Sequence, residues 1–117
     1  MSFIATQNKG FRMTFDNKFT ISVQWGTINY CEKKNLMAEY KDEIKEPIWE
    51  SKSAEIAVFE RHSMGERMLS ISSDGVDDVI GWLGTDDVAK VIAIVSSAGS
   101  VGEIQSKVKK LGLWLNF

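Results

Sequence analysis

The chain has 117 residues with 44% hydrophobic and 26% charged side chains, a length and balance that suit one domain, residues 1 to 117, with its own core and exclude a disordered polypeptide. Its formal charge of −2 and pI near 5.4 exclude an overall basic field for gathering nucleic acid. A single cysteine, Cys31, excludes an internal disulfide, and no apolar run approaches the roughly 18 residues that span a bilayer.

In chain order, Phe3-Ile4-Ala5 forms either an edge strand or a segment packed across the open side of the neighbouring hairpin, and Asn8-Lys9-Gly10 marks a turn. From Phe11 the pattern is regular. Phe11, Met13 and Phe15 alternate with Arg12, Thr14 and Asp16; after Asp16-Asn17-Lys18 the alternation resumes as Phe19, Ile21, Val23 and Trp25 against Thr20, Ser22 and Gln24. This predicts a β-hairpin with one apolar face, its turn built on Asp16 and Asn17, residues that accept left-handed backbone angles. At roughly 1.5 to 3 kcal/mol for each fully buried large side chain, that face is the main hydrophobic seed of the fold.

Residues 26 to 53 form a connection of about 28 residues, where compact domains usually use about four to six. Two readings account for it. Leu36, Tyr40 and Ile44 recur at a spacing of four after Asn35 and before Pro47, which predicts a short helix; alternatively the segment is a mobile lid over a site. Beyond it, Ala54 to Arg61 and Arg67 to Ile71 read as a second hairpin turning at His62-Ser63-Met64-Gly65, and Ser72-Ser73-Asp74-Gly75 as a further turn. Val79-Ile80-Gly81-Trp82-Leu83 is a short fifth strand. The period then changes: Thr85 is the expected N-cap of a helix carrying Val88, Val91, Ile92 and Val95 on one face. Ser100-Val101-Gly102-Glu103 is a capping-box pattern opening a second helix with Ile104, Val108 and Leu111 inward and Gly112 at its end. Leu113-Trp114-Leu115-Asn116-Phe117 is an apolar tail that docks on the body or on another chain. Strands first and helices last define an α+β fold, an antiparallel sheet of four to five strands with a C-terminal helix pair on one face.

The string F-T-I-S-V-Q-W-G-T-I-N-Y-C, residues 19 to 31, resembles a segment of small uncharacterised bacteriophage and prophage proteins, in which V-Q-W-G is closely followed by N-Y-C. The V-x-G-aromatic-L segment from Val79 to Leu83 carries a fainter likeness. The resemblance covers about a quarter of the chain and implies a viral accessory protein without an assigned activity, acting in the cytoplasm of the infected cell. It brings no catalytic residues. The opening M-S-F-I-A-T-Q-N-K-G, which lacks the basic and apolar regions of a signal peptide, also points to the cytoplasm.

Candidate chemistry is sparse. Cys31 and His62 are single members of their kinds, so a cysteine nucleophile with a histidine base requires that pair, and one of each does not make a zinc site. Asp74, Asp77 and Asp78 before the fifth strand and Asp86 and Asp87 after it offer a general acid and base or a divalent-ion site, against which stand the turn role of Asp74 and the capping role of Asp86 and Asp87; Lys90, Lys107, Lys109 and Lys110 offer a small anion patch, against which stand helix-dipole complementation and solubility. No glycine-rich phosphate loop occurs, and neither a cofactor nor a catalytic set is expected. The constellation that most invites a ligand is Gln24-Trp25-Gly26 with Asn29-Tyr30. Its rings stack on flat molecules, its amides read donors and acceptors, and Gly26 permits close backbone approach. Against this stands a structural role for the same residues at the end of a strand. For a protein partner, Trp49, Trp114 and Phe117 are the better anchors. The expectation is a non-catalytic protein that captures a host protein or a small signalling molecule, as in counter-defence. The alternative is an assembly protein that forms a homo-oligomer through an exposed strand edge or the apolar tail.

Overall fold

Alternating apolar residues build the sheet as the pattern requires. The computed structural model describes residues 1–7, 9–32, 47–71 and 78–113, and among them the strands are β1 (Ser2–Ala5), β2 (Gly10–Thr14), β3 (Phe19–Gln24), β4 (Ala54–His62), β5 (Gly65–Met68) and β6 (Val79–Leu83). Two helices come after them, α1 (Thr85–Ser97) and α2 (Val101–Lys110). The sheet is antiparallel in the order β1-β2-β3-β4-β5, with β6 also on β4. The lead-in is therefore an edge strand, which raises the count to six. The expected helix after Asn35, the turn at Ser72 to Gly75, Asp74, Asp77, Trp114 and Phe117 lie outside the described residues. No helix among the described residues is long and apolar enough to cross a membrane.

Central strand β3 sets the register. Ile21 sits between Met13 of β2 and Val58 of β4, and Val23 between Phe11 and Ile56, so these odd-numbered β3 positions share one face with the even-numbered positions of β4. Phe19, Ile21, Val23, Ile56 and Val58 are buried there under Val88, Val91 and Val95 of α1. Strand β4 is nine residues long, enough for its outer edge to seat two short strands end to end: Phe59 to His62 pair with β5 and Ala54 to Ala57 with β6. Helix α2 adds Ile104 and Val108 to the same core, and its Gln105 amide donates to the Ser70 carbonyl at 2.9 Å.

The helix ends differ by one position from the sequence reading. Thr85 is the first residue of α1, while Gly84 is the N-cap and supplies no side-chain bond; Asp86 and Asp87 in the first turn meet the helix dipole instead. The capping box at α2 is present, with Ser100 Oγ accepting from Glu103 N at 3.1 Å. Glu103 reaches back to Gly99 N at 3.3 Å and accepts from Lys107 at 3.0 Å. These bonds, the lysine's foremost, hold its pKa below the ordinary carboxylate value. Gly112, at φ 66°, ends α2 in the left-handed conformation that glycine adopts freely.

The hairpin turn corrects a second expectation. The left-handed residue is Lys18, at φ 73°, and not Asp16 or Asn17. Asn17 is committed elsewhere: its Nδ2 donates to the carbonyls of Val95 at 2.8 Å and Ala98 at 3.0 Å, and its Oδ1 accepts from Phe19 N at 3.1 Å. The turn between β2 and β3 thus caps the C-terminal end of α1, satisfying carbonyls that helix geometry leaves open. Asn17→Ala should lower stability by about 1 to 2 kcal/mol in urea denaturation, because two carbonyls lose their donor.

Candidate functional site

Trp25 sits directly after β3, and the period of two sends its ring to the same face as Ile21 and Val23. Its N–H bonds the Lys9 carbonyl at 2.7 Å, which extends the β2–β3 ladder, and its ring stands edge-on to Phe11 with centroids 6.2 Å apart. Trp49 approaches from the far end of the long connection. Trp25 Nε1 donates to the Trp49 carbonyl at 2.8 Å, and Trp49 Nε1 donates to the Trp25 carbonyl at 3.1 Å. This reciprocal clasp joins two indoles 24 residues apart.

Beside the clasp lies a cavity of about 470 Å³. Phe11, Val23 and Trp25 form its floor, Val88, Ala89 and Ile92 of α1 one wall, and Ile48, Trp49 and the backbone to Ala54 the other. The second wall is fixed by polar bonds. Glu32 accepts from Lys52 N at 2.7 Å and donates its own N–H to Ser53 Oγ at 2.9 Å, while Ser51 Oγ donates to the Ser53 carbonyl at 2.7 Å. The lining is mainly hydrocarbon and aromatic, and both indole N–H groups are used within the clasp, so the rings offer a cavity occupant their carbon faces.

The other residues singled out in the sequence do not join Trp25 there. Gln24 points to the opposite face of β3, where its Oε1 accepts from Thr6 Oγ1 at 2.9 Å and its Nε2 donates to Ser22 Oγ at 3.2 Å. Asn29 folds the chain after the strand: its Oδ1 accepts from Gly26 N at 2.9 Å and its Nδ2 donates to Glu55 Oε1 at 3.3 Å. Tyr30 N donates to Glu55 Oε2 at 2.9 Å, and the Tyr30 carbonyl accepts from Trp82 N at 2.9 Å. The Tyr30 and Trp82 rings lie 5.4 Å apart. A Cβ on Gly81 would come within 2.5 Å of Tyr30 Cβ, so glycine is what lets this loop lie against β6. Asn29 and Tyr30 therefore strap the loop to β4 and β6.

Cys31 is buried, its Sγ donating to the Gly26 carbonyl at 3.4 Å. It belongs to the loop anchored on Glu55, whereas His62 is exposed at the other end of β4, seven strand residues or about 23 Å away. Asp86 and Asp87 stay in the first turn of α1. Among the described residues no group of three or more histidine, cysteine or carboxylate side chains is placed to hold a metal ion.

The helix wall of the cavity is what the sequence reading missed. The apolar stripe of α1, Ile92 included, was visible, but neither Ala89 on its flank nor the opening of that stripe onto uncovered β2 was. Trp49, expected as a partner anchor, is half-buried in the wall; no periodicity marks its pairing with Trp25. No protein family, curated protein or solved structure matches the chain.

Trp25→Phe and Trp49→Phe keep most ring volume and each remove one clasp donor. Each should cost about 0.5 to 1.5 kcal/mol in chemical denaturation. The double variant should depart from additivity by at least about 0.5 kcal/mol, the coupling expected of contacting residues.

Proposed function

We propose that this chain is a non-catalytic binding protein that captures an uncharged, largely apolar small molecule with a flat ring in the cavity beside Trp25 and Trp49. The observation that carries the reading is the cavity: about 470 Å³, within the roughly 300 to 1,000 Å³ range of small-molecule sites, with a floor of Phe11 and Trp25. Consumption of both indole N–H groups in the clasp supports an occupant held by stacking and apolar contact. The separation of Cys31 from His62 supports binding without chemistry. The resemblance of residues 19 to 31 to small phage proteins adds the setting, the cytoplasm of an infected cell, where sequestering a small signalling molecule is a stoichiometric act that needs no turnover.

The test uses N-phenyl-1-naphthylamine, an uncharged aromatic probe that fluoresces in apolar surroundings. Titration should show saturable one-to-one binding. Ala89→Trp, placed on the exposed flank of α1, should fill the cavity and weaken binding at least about tenfold without lowering thermal stability, tenfold being about 1.4 kcal/mol. Absence of saturable binding, or equal binding by Ala89→Trp, would sink the reading.

A further inference from the structure

The two outer edges of the sheet are built differently. At one, β5 has the sequence G-E-R-M and is guarded by Glu66 and Arg67, each in an ion pair: Glu66 with Arg12 and Arg67 with Glu60, both at 2.9 Å. Charges of this kind discourage a second strand from pairing. At the other, β1 is S-F-I-A, with no charge, no proline and an unbroken register against β2. All four of its residues are exposed, Phe3 to 80% and Ile4 to 48%.

Backbone parity decides which of its groups face outward. Thr6 N–H bonds the Gly10 carbonyl at 3.0 Å, so Thr6 and Gly10 form a hydrogen-bonded pair. Pairs alternate along an antiparallel ladder, so Ile4 opposite Arg12 and Ser2 opposite Thr14 also turn their N–H and C=O toward β2. Phe3 and Ala5 turn theirs away from the sheet.

We propose that this edge is a self-association surface, on which two copies of the chain pair β1 with β1, antiparallel about a two-fold axis at Ile4, to make one continuous sheet. In that register Phe3 of one copy exchanges two hydrogen bonds with Ala5 of the second, and Ala5 with Phe3. The four bonds use every outward N–H and C=O of those two residues. Side chains match as well. On the helix-bearing face the Phe3 ring lies across from the small Ala5, and on the other face Ile4 meets Ile4 in a close, non-hydrogen-bonded pair. No charge on the strand has to be buried. Arg12, opposite Ile4 on β2, is neutralised by Glu66 and lies 4.7 Å over the Phe59 ring, so the two arginines do not oppose each other across the axis. The strand is short, which places the contact below the roughly 1,200 Å² of standard-size interfaces and makes the dimer weak and reversible. This inference is independent of the ligand reading, since it rests on a different strand and a different contact.

Sedimentation velocity over roughly 5 to 500 µM, combined with amide hydrogen exchange, tests it. The chain should pass from monomer to dimer, with the Phe3 and Ala5 amides gaining protection as concentration rises. Ala5→Pro removes an outward N–H that takes no part in the β1–β2 ladder, so it should stay monomeric with an unchanged circular dichroism spectrum. Phe3→Lys, which leaves the backbone intact and places a charge on the edge, should also stay monomeric. A wild-type chain that remains monomeric throughout overturns the proposal. So does a dimer in which the Phe3 and Ala5 amides exchange freely, or one that persists in both variants.

Discussion

A helix with its side chains is about 10 Å across and strands lie about 4.8 Å apart, so one helix covers roughly two strands. That ratio governs this molecule. Helix α1 lies over β3 and β4, and α2 packs beside it toward the residues after β5. Burial therefore falls off sideways: the first five residues of β3 are buried, all of β2 is intermediate and all of β1 is exposed. The apolar hairpin face is wider than its cover, and both the cavity and the β1 edge lie in the uncovered part.

The position of α1 is fixed at both ends. Its N-terminus comes directly after β6, whose pairing with β4 fixes the start, and its C-terminus is held by Asn17 in the turn between β2 and β3. Between those points the flank of Ala89 and Ile92 faces Phe11 and Trp25 across open space, and the segment ending at Ser53 closes the far side. The cavity is thus a product of where the helix is anchored. It does not arise from missing core side chains, for Val91, Val95 and Ile104 are fully buried.

Features set by local rules could be read from the sequence: the hairpin alternation, the change of period at α1, the capping box at Ser100 and the glycine after α2. Those decided by contacts between distant residues could not. The left-handed turn residue is Lys18 because Asn17 is occupied by carbonyls 78 and 81 residues away. Trp25 meets Trp49 across 24 residues, and the spacing of four within that connection stops short of Trp49. The same alternation that defines the hairpin puts Gln24 and Trp25 on opposite faces. Asn29 and Tyr30 carry the residue types of a recognition loop, yet Glu55, a single carboxylate on β4, holds both in structural roles.

The Asn17 cap has a consequence for how the chain is made. The hairpin of β2 and β3 is complete once the first quarter of the sequence has left the ribosome, but the carbonyls that Asn17 binds belong to Val95 and Ala98. Until those residues emerge, Phe19, Ile21 and Val23 face water or whatever binds nascent chains. This early hairpin is therefore enclosed only late in synthesis, and its apolar face stays open through the middle of it.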